Sequence, residues 1–320
     1  MQKKDWAESH LRKLIIDQRK HMWRDDSIEM YSKWMNLSNG MKVIDVGCGL
    51  GYLGWTYWKY FGIGGEYVGV DRSSKLLREA SGMSDGWAVD GSALFSTGDA
   101  YNLPFPDNYA DWTMCQTLLM HLKFPEKALA EMVRVTKPGG LIMCKEPDNI
   151  TATIAGFYSS TGSLSDRDIL ENHKIMLIYA RGRKKLGFGD MAIALRVPKM
   201  MSDAGLVNID SRCNDVSSFV QPPYETAKQK YQIEMAKKFF ESDSTEVNKK
   251  RGEKEFKDFF LAGGGSLSSY YRYIKRMEKR REESEEMRKQ QIFDGTYHSS
   301  RGNNSFVCFR AFLPEKERSD

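Results

Sequence analysis

The residues with the clearest chemical meaning lie in one stretch, Val43-Ile44-Asp45-Val46-Gly47-Cys48-Gly49-Leu50-Gly51-Tyr52-Leu53-Gly54. An apolar run that reads as a strand enters a glycine-rich turn, and the turn opens a helix. Glycines admit positive φ and let a ligand approach the backbone. The helix start offers free amide groups. Gly49, Gly51 and Gly54 compose a G-x-G-x-x-G, and Asp71, after the next apolar run, stands about where a dinucleotide fold carries its ribose-binding acid. A nicotinamide-dependent dehydrogenase is therefore one reading. Three features argue against it. Asp45 lies two residues before Gly47, giving D-x-G-x-G-x-G; a carboxylate there suits a cationic ligand group and is out of place beside a pyrophosphate. Gly98-Asp99-Ala100 follows a third short run, Ala93–Ser96, and an acid there can accept a hydrogen bond from the exocyclic amine of adenine. Lys137-Pro138-Gly139-Gly140 joins a helical run to the apolar run Leu141–Cys144, where a tight turn is needed.

The pattern around these residues supplies elements to position them. Residues about 5–36 have helical spacing, with Ser27 as a candidate cap for a helix carrying Ile28, Tyr31, Trp34 and Met35. Strand candidates then alternate with helical ones. Lys42–Val46 precedes a helix through Leu53–Phe61, and Tyr67–Val70 precedes one through Ser74–Ser81. Trp112–Cys115 precedes a helix from Pro125 to Val135, which leads into Leu141–Lys145. Pro198–Ala204 reads as a helix, and Val207–Cys213 and Ser305–Phe312 as strands. Such alternation predicts a parallel sheet covered by helices on both faces. Two stretches break it: residues about 150–195, rich in Gly, Ser and Thr with a helical piece at Asp166–Tyr179, and residues about 216–300, helical and densely charged.

Composition narrows the class. The chain has 320 residues, 41% hydrophobic and 28% charged, which is ordinary for a soluble globular protein and long enough for a large domain with an insertion. Cys48, Cys115, Cys144, Cys213 and Cys308 are scattered, with no CxxC pair, so free thiols in a reducing compartment fit better than disulfides or a zinc site. The N-terminus is charged rather than apolar, and no apolar run reaches a membrane span, so a cytoplasmic protein with no membrane partner is expected. The net charge of +5 is modest, and the run Tyr270–Gln291 mixes both signs. This fits a solvated helix face better than a nucleic-acid groove.

The glycine loop and its companions resemble the class I S-adenosylmethionine (SAM)-dependent methyltransferases, most closely the small-molecule group that includes the ubiquinone and menaquinone biosynthesis enzymes. Val43–Gly51, Tyr67–Ser73, Gly98–Phe105 with Asp107–Asp111, and Lys137–Gly140 carry the resemblance, in family order and spacing across residues about 41–146. It implies an α/β Rossmann-like fold with a seven-stranded, mostly parallel sheet of order 3-2-1-4-5-7-6, strand 7 antiparallel, and helical insertions. It implies a SAM-binding core of residues 41–215 plus 301–313 and N-terminal helices (1–40) closing the site. A lid-like insertion at 150–195 would follow strand 5, and a helical insertion at 216–300 would join strands 6 and 7. It also implies SAM as cofactor, with S-adenosylhomocysteine (SAH) as product. Asp45, Gly47, Cys48 and Gly49 would hold the methionine part, Asp71 both ribose hydroxyls, and Arg72 would flank the adenine. Asp99 and Ala100 would meet the adenine edge, and Gln116 would lie near the methionine amine.

Methyl transfer is an in-line displacement at a sulfonium carbon already activated by charge, so alignment and water exclusion dominate. A base is needed only for a protonated or weakly nucleophilic acceptor. His121, just after the fourth strand, and Glu146, ending the fifth, are the candidate catalytic residues. Trp23, Tyr31, Phe157, Tyr158, Tyr270 and Tyr271 are candidates to line a pocket for a small-molecule acceptor. No metal is required. Pro222-Pro223-Tyr224 looks like the N/D-P-P-Y signature of amino-methyltransferases, but it follows strand six rather than strand four and reads as the entry to the insertion. An RNA methyltransferase using Arg181, Arg183, Lys184 and Lys185 as phosphate contacts, and a non-catalytic SAM-binding protein, are the alternatives.

Overall fold

The computed structural model describes residues 24–153, 157–162, 164–213, 218–241, 246–301 and 306–315. The described residues divide into two compact units: one lies within Asn149–Met191 and Asp215–Ser305, the other within residues 24–148, 192–213 and 306–315.

The unit with the glycine loop is built on a seven-stranded sheet. Its strands are β1 (Lys42–Val46), β2 (Glu66–Asp71), β3 (Ser92–Thr97), β4 (Ala110–Gln116), β5 (Thr136–Pro147), β7 (Val207–Cys213) and β10 (Phe306–Phe312). They lie in the order β3-β2-β1-β4-β5-β10-β7. β1 to β5 are parallel, and β10 runs antiparallel to both β5 and β7. Since β7 is the sixth and β10 the seventh strand of this sheet, the order is the 3-2-1-4-5-7-6 that the resemblance implies.

Alternation along these strands sends side chains to two cores. On one face Ile44, Val46, Cys115, Ile142 and Cys144 pack with Ala128, Leu129 and Met132 of helix α4 (Pro125–Val135) and Val197 and Met201 of α6 (Val197–Asp203). On the other, Val43, Tyr67, Trp112, Met114 and Met143 pack with α1 (Asp25–Trp34) and α2 (Tyr52–Phe61), while α3 (Ser74–Ser84) joins β2 to β3. The apolar stripe of α4 is fully covered, and its Pro125 sits in the first turn, where a missing N–H costs nothing.

Three details differ from expectation. α1 begins at Asp25, before Ser27, which is buried inside the helix; Asp25 and Asp26 supply the acidic first turn instead. The Tyr31 hydroxyl donates to the Cys213 carbonyl at 3.0 Å and Trp34 Nε1 to Asp210 Oδ2 at 2.7 Å, so α1 is stitched to β7. Lys137–Gly140 is not a turn ahead of the strand but an excursion within β5: Ala110 pairs with Thr136, then Trp112 with Leu141. Gly139 has φ 76° there, and its amide donates to the Leu313 carbonyl at 2.9 Å, closing the excursion against the end of β10.

The other unit joins the two stretches that break the alternation. It contains β6 (Phe157–Ser159), α5 (Asp166–Lys185), β8 (Ser218–Val220), α7 (Ala227–Glu241), α8 (Glu246–Ala262), α9 (Leu267–Phe293) and β9 (Ser299–Arg301). The short strands form an antiparallel sheet of order β6-β9-β8. Residues 149–191 and 215–305 thus form one unit rather than two. α5 and α8 approach closely at Gly182 and Gly263, where an added Cβ would stand 1.7 Å and 1.9 Å from backbone carbonyls of the opposite helix. Among the described residues no helix is long and apolar enough to cross a membrane.

Candidate functional site

From β1 the chain steps to β2 and β3 on one side of the sheet and then to β4 and β5 on the other, so the order reverses between β1 and β4. Ligands of open α/β sheets bind at such a point, outside the carboxyl ends of the strands. Asp45, Asp71 and Gln116 sit at or next to the carboxyl ends of β1, β2 and β4, and Asp99 lies just beyond β3.

The glycine loop is tied to β2. The amides of Gly47 and Cys48 both donate to the Val70 carbonyl, at 2.7 Å and 3.0 Å. Gly49 donates to Asp71 Oδ2 at 3.0 Å, while Ser73 donates to Asp71 Oδ1 at 2.9 Å. Each Asp71 oxygen therefore holds one backbone amide and keeps a lone pair for a ligand. Gly47, Gly49 and Gly51 have φ of 72°, 56° and 75°, which side chains rarely adopt. A Cβ on Gly47 would stand 2.8 Å from Leu118 Cδ1, so the loop after β1 faces the turn after β4. A Cβ on Gly49 would meet nothing within 4 Å, and its backbone borders open space.

The local charge is negative. Burial, then the Asp45 and Asp71 charges, push the Cys48 thiol well above its usual range. Burial and the Asp45 charge do the same to the Tyr67 phenol. Asp45 is 1% exposed and accepts the Tyr67 hydroxyl at 2.8 Å. A cluster of carboxylates that raises its neighbours suits a ligand with cationic ends and disfavours a pyrophosphate.

Asp99 is exposed, and its Oδ1 accepts the Tyr101 amide at 3.0 Å. Arg134 staples the loop that follows. It donates to the Leu103 and Phe105 carbonyls at 3.0 Å and 2.8 Å and to Asp107 and Glu131. Glu131 in turn accepts the Leu103 amide at 2.7 Å, and the Arg134 guanidinium holds its carboxyl below the usual range. Ala100 is half-buried, Arg72 exposed, and Gln116, 9% exposed, lies in register with Lys145.

Glu146 requires a correction. It is fully buried, and its carboxylate accepts the amides of Leu118 (2.9 Å), Leu119 (2.8 Å) and Met120 (3.3 Å). It anchors the turn after β4 rather than facing a cleft with a free oxygen, and is not placed to move a substrate proton. The turn it anchors opens with Thr117 at φ 52°, an outlier for a β-branched residue, and ends in a short 3-10 helix, Leu119–His121. His121 is half-buried, and its amide bonds the Leu118 carbonyl at 2.9 Å.

The described pocket candidates are placed within their own units. Tyr31 is core, buried against the sheet and hydrogen-bonded to Cys213. Tyr270 is core of the other unit, packed with Ile175 and Phe260, and Tyr158 and Tyr271 are exposed, the latter accepting Lys257 Nζ at 2.8 Å. Trp23 and the Phe157 side chain lie outside the described residues. Among the described residues no cluster of His, Cys, Asp and Glu can hold a metal ion. Sequence reasoning missed Tyr67 and the anchoring role of Glu146. A tyrosine inside an apolar strand, needing a buried acceptor, was the available signal for the first; the second depends on backbone amides, which carry no signal of their own.

Residues 37–182 match the methyltransferase domain family. This segment is a methyltransferase domain. The methyltransferase domain is similar to an uncharacterized methyltransferase of Schizosaccharomyces pombe, 37% identical over 141 residues, or 42% of this chain and 50% of that protein. It is similar to a demethylmenaquinone methyltransferase of a Geobacillus species, 34% identical over 146 residues, 45% of this chain and 58% of that one. It is also 38% identical over 112 residues to a ubiquinone/menaquinone biosynthesis C-methyltransferase of Burkholderia orbicola, 35% of this chain and 45% of that one. The chain thus spans about half the length of the curated relatives it matches. Among solved structures, a chain of the complex between the Haloferax volcanii Trm112 methyltransferase activator and a methyltransferase shares the fold. Its TM-score is 0.50 at 16% identity, covering 98% of this chain and 100% of that one.

Proposed function

We propose that the protein is a SAM-dependent methyltransferase that transfers a methyl group to a small-molecule acceptor by in-line displacement. The observation that carries this reading is the acidic carboxyl edge: Asp45 and Asp71 flank a glycine loop whose backbone borders open space at Gly49. The residues fit the cofactor. Asp45 and the Gly47–Gly49 backbone suit the methionine part, Asp71 the ribose hydroxyls, and Asp99 with Ala100 the adenine. Gln116 lies on the β4 end that faces them. SAM supplies the activated methyl group; the chain's work is to hold it and exclude water. His121, on the turn anchored by Glu146, is the candidate to take a proton from the acceptor. The names of the quinone-biosynthesis relatives favour a small molecule over RNA.

The test is direct. The purified protein should bind SAH in calorimetry with micromolar or tighter affinity and, with labelled SAM, transfer label to a low-molecular-weight fraction of cell extract. Label in the RNA fraction instead, with binding that weakens steeply with salt, would replace the acceptor class. SAH binding with no transfer to any fraction would leave a SAM-binding protein without this activity.

A further inference from the structure

Tyr67 lies in β2, fully buried, on the same sheet face as Asp45. β2 pairs with β1 so that Gly69, not Tyr67, stands beside Asp45. The tyrosine reaches Asp45 by leaning along the strand, as side chains on sheets do, under the start of α2. Room for it comes from glycine. A Cβ on Gly54 would stand 2.4 Å from Tyr67 Cε2 and 2.7 Å from Cζ, and one on Gly51 3.7 Å from the hydroxyl. The ring is braced edge-on by Phe95 and Trp87, with centroids 5.8 Å and 5.7 Å away. The last glycine of the G-x-G-x-x-G thus accommodates an aromatic ring whose hydroxyl donates to Asp45 Oδ2 at 2.8 Å.

We propose that Tyr67 is a positioning residue for the cofactor: through this bond it holds the Asp45 carboxylate in the orientation that receives the amino group of the methionine part, directly or through a water. The proposal rests on the reading above that Asp45 serves that end of SAM. A hydrogen bond from a buried phenol to a carboxylate is charge-assisted and fixes the acceptor's rotamer. Burial and the neighbouring carboxylates push the phenol well above its usual range, which favours the protonated form that donates.

The test compares two ligands on Tyr67→Phe, which keeps the ring and removes only the hydroxyl. SAH carries the amino-acid end; 5′-methylthioadenosine is the same thionucleoside without it. Calorimetry should show SAH bound roughly tenfold more weakly, the scale of one hydrogen bond to a charged group, and methylthioadenosine unchanged. Asp45→Asn should weaken SAH at least as much and leave methylthioadenosine unchanged, and the double variant should lose little more than Asp45→Asn alone. Asp71→Ala, which touches the ribose, should weaken both ligands. Equal losses for both ligands in Tyr67→Phe, or no loss for either, overturn the proposal. If the unaltered protein binds neither ligand, the SAM reading fails, a result separable from failure of Tyr67 alone.

Discussion

The carboxylate of Glu146, at the end of β5, accepts the backbone amide of Leu119 at 2.8 Å, just beyond the end of the neighbouring parallel strand β4. Leu118 and Met120 donate to the same side chain. Parallel strands leave their carboxyl-edge turns without ladder partners, and here one buried anion serves three consecutive amides. Thr117, at φ 52°, stands one residue upstream of the amides that Glu146 accepts.

Glu146→Gln should therefore behave as a stability variant. Glutamine keeps one oxygen for the Leu118 and Leu119 amides but turns its own NH2 towards the Met120 amide, which loses its acceptor, costing roughly 1–3 kcal/mol on the scale for a buried unsatisfied donor. Chemical denaturation should show a lower midpoint, and SAH affinity and turnover should fall together. A variant of unchanged stability that binds SAH normally but has lost turnover would return Glu146 to a proton-transfer role.

The frame of the fold was legible because the same residues carry several signals. Lys42–Val46 and Val207–Cys213 are strands with the bounds their apolar runs suggest, and Asp71, at the end of a strand and near the glycine loop in space, lies where its spacing indicates. What was not legible depends on partners far along the chain. Tyr31 and Tyr270 have the aromatic character of pocket residues, yet one is consumed by the sheet and the other by a helical core. Period and composition cannot tell a ring that lines a cavity from one that fills it. Glu146 looked like a cleft acid because its acceptor role is to backbone groups of a turn 26 to 28 residues earlier.

Gly54 provides a prediction whose sign opposes helix propensity. It lies inside α2, where alanine is ordinarily better by about 1 kcal/mol. Here a Cβ would overlap the Tyr67 ring at 2.4 Å. Gly54→Ala should destabilise by about 1–3 kcal/mol, the range for overpacking. In a double-mutant cycle with Tyr67→Leu, the two losses should couple by about 1 kcal/mol or more. Additive losses would mean that the alanine collides with something other than Tyr67.

Tyr109 gives a linkage on the alkaline side. Its hydroxyl donates to Glu66 Oε1, and Lys42 Nζ lies 4.9 Å from its ring centroid. The bond to Glu66, then burial, pushes the phenol up to about 12 from 10.0. A raised folded-state value favours the protonated form, so the stabilisation is fully present below pH 10 and is lost as pH rises through about 12. Tyr109→Phe should be less stable than the unaltered protein by a constant margin below pH 10, and the margin should shrink between pH 10 and pH 12. A margin that does not change across that window would remove Glu66 as the cause.

His121 is the last side chain of the 3-10 turn that Glu146 anchors, at the side of the reversal between β1 and β4. If it takes the acceptor's proton, His121→Ala should lower turnover by roughly 10²–10⁴-fold, the usual contribution of a general base. Because Leu118–Met120 are held by Glu146, SAH affinity should change little and the fold should stand. The comparison is kcat against SAH affinity on one preparation, with the loss concentrated in kcat. Full turnover in His121→Ala would leave the histidine as packing and mean that the acceptor reacts without a protein base. A parallel loss of SAH affinity would instead place the ring against the cofactor.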